Sequence, residues 1–326
     1  MTAALRWVGP RVAALAIVLA SAWASAPSFA AEPTLPTESL APGVFHVPGH
    51  QAVWGPEFHG HVANLGFVIG SRCVAVIDSG GSPTVGRALL ATVRAHSALP
   101  ICYLINTHPH PDHVMGNVAF SDANGKDVAA PVIVGHQRLA ASLAARAPFY
   151  LNTLRRDFDA ADQTQTVPLP TLAVTDRTEL DLGERVLELH AWPTAHTDSD
   201  LTVLDRRSAT LWVGDLVFIG HLPVLDGKLQ GWLSVLQNLK RETATRIVPG
   251  HGPVLAQAPE AYAPTVSYLE QLKTEVSAAL DKDLSLSETV ARLGTPPAER
   301  LAGWLLTEAF HRRNITAAYA ELEWTR

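Results

Sequence analysis

An α/β fold with a helical C-terminal extension is the class this sequence predicts, and three observations predict it. Short apolar runs rich in β-branched and aromatic residues recur between residues 44 and 248. Two of them, Val74–Ile77 and Ile101–Ile105, flank one amphipathic stretch, the pattern of a strand–helix–strand unit with a right-handed crossover. Beyond residue 259 strand formers thin out and the apolar residues fall at helical spacing.

Residues 31–42, with Pro33 and Pro36, read as a mobile lead-in. Val44–Val47 is the first expected strand. Residues 48–61 place Trp54, Phe58, His50, His59 and His61 among Gly49, Gly55, Pro56 and Gly60. A plain surface loop is the bland reading, but loops this rich in aromatics cover something apolar, so a flap over a site is favoured. Leu65–Ile69 and Val74–Ile77 form a hairpin across Gly70, Ser71 and Arg72. Residues 83–97 alternate as an amphipathic helix through Val85, Leu89, Leu90 and Val93, and Ile101–Ile105 is a buried strand. In such sheets ligands gather where the strands end, and Asp78 and the run from Asn106 both sit there.

Further along, 113–120 starts a helix, 132–135 is a strand and 137–147 a helix. Residues 148–170, with Pro148, Pro168 and Pro170, read as a polar excursion. Strands are expected at 178–182 and Val186–Ala191, at Leu201–Asp205 and 210–213 as a hairpin turning on Arg206, Arg207 and Ser208, and at 247–248. A linker at 253–259 leads to helices at 264–280, 287–293 and 297–319. The expected organisation is an export signal over 1–30, an α/β domain over 31–255 and a helical extension over 256–326 packed on it.

The 326 residues carry a formal net charge of −6, with 47% hydrophobic and 17% charged residues, enough for a sizeable core and no general basic surface for nucleic acid. Arg6 and Arg11, an apolar run from Val12 to Ala24 and small residues around Ala30 read as a cleavable export signal. The run is shorter than the ~20 residues a spanning helix needs; an uncleaved anchor is the alternative. No twin-arginine pair is present, so the general secretory route to the periplasm is expected. Cys73 and Cys102 are the only cysteines. Export permits a disulfide between them; two buried thiols acting as small hydrophobes is the alternative.

The chemistry is concentrated in Asn106 to His113, where His108, His110, Asp112 and His113 fall within six residues. His108 and His110, two apart, share a side of an extended backbone, whereas Asp112 and His113 are adjacent and point elsewhere. That suits two neighbouring metal ions better than one. Downstream, His196, Asp215 and His251 each follow a predicted strand beside glycine or alanine. Singly, each is as readily a turn or cap residue; together they form a nitrogen and carboxylate ligand set of the kind zinc takes.

The series His108, His110, Asp112, His113, His196, Asp215, His251 resembles the metallo-β-lactamase superfamily over roughly residues 43–255. The resemblance implies an αββα sandwich with a two-zinc site at one edge of the sheets. It implies that His108, His110 and His196 hold the first zinc, that Asp112, His113 and His251 hold the second, and that Asp215 bridges them. Asp78 matches the aspartate that supports the histidine loop from behind. Asp215 stands where the best-known zinc β-lactamases carry cysteine, and His113 where they lack histidine, so the ligand set is that of the glyoxalase-II-like branch. Residues 195–203 (AHTDSDLTV), 214–227 (GDLVFIGHLPVLDG) and 310–324 (FHRRNITAAYAELEW) are similar to a narrower group, the exported quinoprotein relay system zinc metallohydrolases. That similarity implies service to a periplasmic quinoprotein (PQQ) dehydrogenase system and names no substrate.

The expected activity is hydrolysis of an ester, thioester or lactam by a hydroxide held between two zinc ions ~3.5–4 Å apart. Asp112 orients that nucleophile and moves its proton. His221 is a candidate oxyanion donor and Trp54 a candidate substrate contact. The competing readings are a zinc β-lactamase, a non-catalytic periplasmic accessory protein that carries metal or ligand, and a di-iron redox centre. The pocket is expected from residues 50–61, 148–170, 219–232 and the C-terminal helices.

Overall fold

Period-two alternation sorts the apolar strand residues onto two faces, and this sorting builds the molecule. The computed structural model describes residues 1–4, 9, 33–126, 128–256, 258–296 and 298–325. The basic start, apolar run and cleavage site of the expected export signal lie outside the described residues. Residues 32–326 form one compact unit. No helix among the described residues is long and apolar enough to cross a membrane.

Seven strands form the first sheet in sequence order: β1 (Glu38–Ala41), β2 (Val44–Val47), β3 (Leu65–Ile69), β4 (Val74–Ile77), β5 (Ile101–Ile105), β6 (Val132–His136) and β7 (Leu172–Val174). β1 to β4 pair antiparallel and β4 to β7 parallel. The second sheet runs in the order β12 (Arg246–His251), β11 (Thr210–Phe218), β10 (Leu201–Asp205), β9 (Val186–Ala191) and β8 (Arg177–Asp181). Its pairs are antiparallel except β11 with β12.

On β4, Ala75 and Ile77 face the second sheet while Val74 and Val76 face outward onto α1 (Pro83–His96). On β11, Trp212 points between the sheets while Leu211 and Val213 point out to the helical layer. The result is an αββα sandwich. Arg185, buried in the β8–β9 turn, ties the sheets together. Its guanidinium donates to the Pro42 and Ile69 carbonyls of the first sheet and to both carboxylate oxygens of Asp205 in the second.

The outer face of the second sheet carries α4 (Leu229–Leu239), α5 (Ala258–Leu280), α6 (Leu286–Leu293) and α7 (Thr307–Trp324). Trp232, fully buried in this layer, donates its indole N–H to Leu216 O at 3.0 Å. On the first sheet's side, α2 (Pro111–Val114) and α3 (Leu139–Asp157) complete the set.

Several elements differ from expectation. The lead-in expected to be mobile contains β1, which pairs with β2. The helix expected at 137–147 continues through Pro148 to Asp157, so the 148–170 excursion is half helix. Ala144, whose carbonyl Pro148 leaves unpaired, is exposed, while Tyr150 and Leu154 are buried, so packing outweighs the proline penalty. The single helix expected at 297–319 is a short 3-10 turn (Ala298–Leu301) and then α7, separated by Leu306 in a left-handed conformation.

Cys73 and Cys102 form a disulfide, Cα atoms 5.7 Å apart, tying β4 to β5. In the chain-entropy account a loop of 29 residues so closed contributes about 3–4 kcal/mol. Replacing both cysteines by serine is expected to lower the urea midpoint accordingly. An unchanged midpoint would place the stabilisation elsewhere.

Candidate metal centre

β5 ends at Ile105, and Asn106 begins a loop that internal hydrogen bonds hold rigid. Asn106 and Asn117 exchange side-chain hydrogen bonds at 2.8 and 3.0 Å, and Ser79 Oγ donates to Asn117 Oδ1 at 2.8 Å. Pro111 at the first position of α2 has no N–H to lose there. The turn it starts carries Asp112 and His113 away from His108 and His110. Asp78, at the end of β4 with φ 57°, accepts from Thr107 N–H and Thr107 Oγ1, both at 2.8 Å, and from His113 Nδ1 at 2.7 Å.

The second sheet delivers the distant residues. His196 lies in the β9–β10 loop, whose turn is fixed by Asp200 accepting from Thr197 N–H and Oγ1. β11 and β12 shift register around Gly214, an irregularity that aims Asp215 inward. A Cβ on Gly250 would stand 1.8 Å from Asp215 Oδ1, so only glycine lets β12 pass so close. Gly250→Ala is expected to displace Asp215 and cost about 1–3 kcal/mol together with metal affinity. Elemental analysis and thermal melting test this; a variant with the parent's metal content and melting point would refute it. His251 ends β12, and Asn64 locks its loop to the first sheet by donating to Pro249 O and Gly252 O.

The seven expected residues converge as two groups. His108, His110, His196 and Asp215 form one, Asp112, His113 and His251 the other, and within each the candidate ligand atoms lie within 4.8 Å of one another. Each imidazole has an outer acceptor that fixes which nitrogen faces inward. His110 Nε2 donates to Asp226 Oδ2 at 3.0 Å, His196 Nδ1 to Val224 O at 2.7 Å and His251 Nδ1 to Val62 O at 3.0 Å. His108 Nδ1 donates to Thr107 Oγ1 at 3.0 Å, and His113 Nδ1 is held by Asp78.

The inward nitrogens of His108, His110 and His196 are therefore lone pairs facing one another, whereas His113 and His251 face the carboxylates of Asp215 and Asp112. His110 Nδ1 and His196 Nε2 stand 3.1 Å apart. Asp215 Oδ2 is 3.4 Å from His196 Nε2 and His251 Nε2, and Oδ1 is 3.2 Å from His113 Nε2. Among the described residues His108 Nε2, His113 Nε2 and Asp215 Oδ1 are buried without a hydrogen-bond partner. Lone pairs as close as those of His110 and His196 repel unless a cation lies between them, and beside Asp215 a cation or a proton on His113 and His251 has to balance the carboxylate. Ligands of a tetrahedral zinc with bonds of about 2.0–2.1 Å sit about 3.3 Å apart, so the spacing fits.

Burial pushes the His196 pKa down to about 3 and that of His108 well below its ordinary value, keeping both neutral and ready to ligate. Burial also opposes charge on His251, but Asp215 and Asp112 outweigh it and raise that ring to about 9.

A cavity of about 470 Å³ opens over the two groups. Each stretch expected to shape it contributes: Trp54, Tyr150, His221 and Phe310 all line it. The 48–61 loop is a pinned wall. Trp54 Nε1 donates to Gly81 O at 2.9 Å, Gln51 Nε2 to Ile219 O at 3.0 Å, and His59 Nδ1 to the buried Asp162 at 2.8 Å. His221 differs from expectation. Its Nδ1 donates to Leu222 O at 2.7 Å, and burial and the neighbouring His251 lower its pKa to about 4. The ring is thus neutral with Nε2 an acceptor, which does not suit an oxyanion donor. Thr107, Asn64, Asp226, Arg146 and Tyr150 carry no local sequence signal. Their partners lie far away along the chain, as with His110 and Asp226, 116 residues apart.

A family model described as the metallo-beta-lactamase superfamily matches residues 60–251. "Beta-lactamase-like protein 2 homolog" of Caenorhabditis elegans is 27% identical over 227 residues, 69% of this chain and 66% of that protein. A metallo-beta-lactamase from Pontibacter korlensis superposes with a TM-score of 0.57 at 20% identity, over 73% of this chain and 99% of that one. A double mutant of the sec-alkyl sulfatase PisA1 superposes with a TM-score of 0.65 at 15% identity, over 88% of this chain and 50% of that one. Structural likeness at such identities speaks to the fold.

Proposed function

The chain belongs to the metallo-beta-lactamase superfamily, and from that membership we propose that it is a binuclear zinc hydrolase cleaving an ester, thioester or lactam. The observation that carries this is the pair of adjacent histidine and aspartate clusters, each imidazole oriented from behind. His108, His110 and His196 would hold one zinc, Asp112, His113 and His251 the other, with Asp215 between them. Bound zinc supplies Lewis acidity and a hydroxide nucleophile at neutral pH. Asp112 lines the cavity with its carboxylate 3.3 Å from His251 Nε2, placed to orient the attacking water and take its proton. Trp54 and Tyr150, in edge contact, close one wall and exclude solvent.

Export to the periplasm is part of the proposal. The signal-like N-terminus supports it, and so does the Cys73–Cys102 disulfide, a bond of oxidising compartments. The phrases shared with the quinoprotein relay group support service to a periplasmic quinoprotein dehydrogenase system.

The test is elemental analysis of the chain from Ala31 coupled to a panel of esters, thioesters and β-lactams. About two zinc ions per chain and turnover lost to a chelator and restored by zinc are expected. Nitrocefin turnover would assign a β-lactamase, native iron a redox centre, and bound zinc without turnover of any panel member an accessory protein.

A further inference from the structure

Arg313 carries a charge that the chemistry at the metal clusters does not use. Two guanidinium groups line the cavity, those of Arg146 and Arg313. Arg146 is already neutralised, its Nη2 donating to Asp226 Oδ2 at 3.0 Å. Arg313 is exposed, and among the described residues no carboxylate pairs with it.

Its position is fixed all the same. The next residue, Asn314, is fully buried and pins α7 to the loop that carries His221, Val224 and Asp226. Asn314 Oδ1 accepts from Leu225 N–H at 2.9 Å, and its Nδ2 donates to Pro223 O at 2.6 Å and to the Tyr268 hydroxyl at 2.8 Å. One turn back, Phe310 stacks on His221, and His221 packs on His251. The stretch of α7 that carries Arg313 therefore stands at a set place relative to the metal clusters, with the guanidinium itself free to meet a ligand.

Apart from the clusters, His221 and the Arg146–Asp226 pair, the lining of the cavity is largely apolar. Phe149 is 67% exposed and Val53 47% exposed, both lining the cavity, with Trp54 and Phe310 alongside. Exposed apolar groups at a cavity mouth mark what the occupant buries. An apolar-walled pocket with one unpaired guanidinium suits a ligand with an apolar body and an anionic end. A planar guanidinium pairs with a carboxylate through two parallel hydrogen bonds.

We propose that Arg313 anchors a carboxylate of the substrate, so that this pocket takes an acyl compound with an aromatic or long apolar body and a carboxylate remote from the scissile carbonyl. The proposal rests on the hydrolase reading of the same site. Arg313 and Phe310 lie beyond residue 251, outside the stretch that the family model matches.

The test uses zinc-loaded full-length protein and a matched pair of probes, 2-benzyl-3-mercaptopropanoate and 2-benzyl-3-mercaptopropanol, titrated calorimetrically. The thiol occupies metal in both, so the affinity ratio reports the carboxylate alone. The acid is expected to bind about tenfold tighter or more than the alcohol, a preference lost in Arg313→Gln and partly kept in Arg313→Lys. Metal content and melting temperature are expected to stay unchanged in both variants. An equal preference in Arg313→Gln, or none in the parent, overturns the proposal.

Succinyl and butyryl thioesters of one thiol extend the test to turnover. Arg313→Gln is expected to raise KM for the succinyl compound only. Neither thioester turned over while the acid preference persists would sink the hydrolase reading and leave the carboxylate anchor standing. Both turned over equally by parent and variant, with no acid preference, would do the reverse.

Discussion

Asp215→Ala is expected to lower hydrolysis at least about a thousandfold and to leave the protein short of one metal. This carboxylate approaches four imidazoles: Oδ2 is 3.6, 3.4 and 3.4 Å from His108, His196 and His251, and Oδ1 is 3.2 Å from His113. Burial pushes its pKa up, but His251, His113 and His108 outweigh that and hold it well below the usual carboxylate range. Without it His108 and His196 lose the carboxylate they face, and His113 and His251 keep only Asp112 and Asp78 beside them; a buried pair broken on one side costs about 3–5 kcal/mol. The metal-free variant should therefore melt earlier than the metal-free parent. Asp215→Cys separates the two roles: a thiolate ligates zinc, so this variant is expected to recover metal content ahead of activity. Full metal content and rate in Asp215→Ala would remove the bridging assignment.

Asp78→Asn should cost about 10–100-fold in zinc affinity while leaving the fold nearly intact. Asp78 accepts three hydrogen bonds, two from Thr107 and one from His113 Nδ1. Asparagine tolerates the left-handed backbone at φ 57° but keeps only one acceptor oxygen and adds an N–H₂. One of the three donors then faces another donor, and the orientation of Thr107 or His113 loosens. Asp78→Ala also leaves buried donors unsatisfied in a strained backbone, at about 1–3 kcal/mol for each donor. Competition with a chromophoric chelator reads the first effect and urea unfolding the second. Unaltered zinc affinity in Asp78→Asn would show that the histidine loop holds its shape alone.

Leu65–Ile69, Val74–Ile77, Ile101–Ile105, Val186–Ala191 and Leu201–Asp205 are legible from sequence because they lie inside the sheets, where burial imposes an apolar run. β1 and β7 are edge strands of four and three residues with exposed positions, so they carry too little pattern to read. α4 is different: Leu229, Trp232, Val235, Leu236 and Leu239 have helical spacing, so this helix carries a readable pattern that the strand-by-strand expectation left out. At the site, the converging histidines and aspartates are legible because their residue types are rare in such density. Their supports are not. Thr107, Asn64 and Asp226 become visible only when strands distant in sequence come together.

The candidate ligands are divided between the sheets: His108, His110, Asp112 and His113 follow β5 of the first, and His196, Asp215 and His251 come from the second. Neither half of the chain assembles a binding site alone, so metal capture has to follow docking of the two halves. Such late-forming, non-local contacts are slow to nucleate. A metal that binds only the docked state then stabilises it by mass action. Zinc uptake during refolding would therefore lag behind strand formation and serve as a clock for the final assembly step.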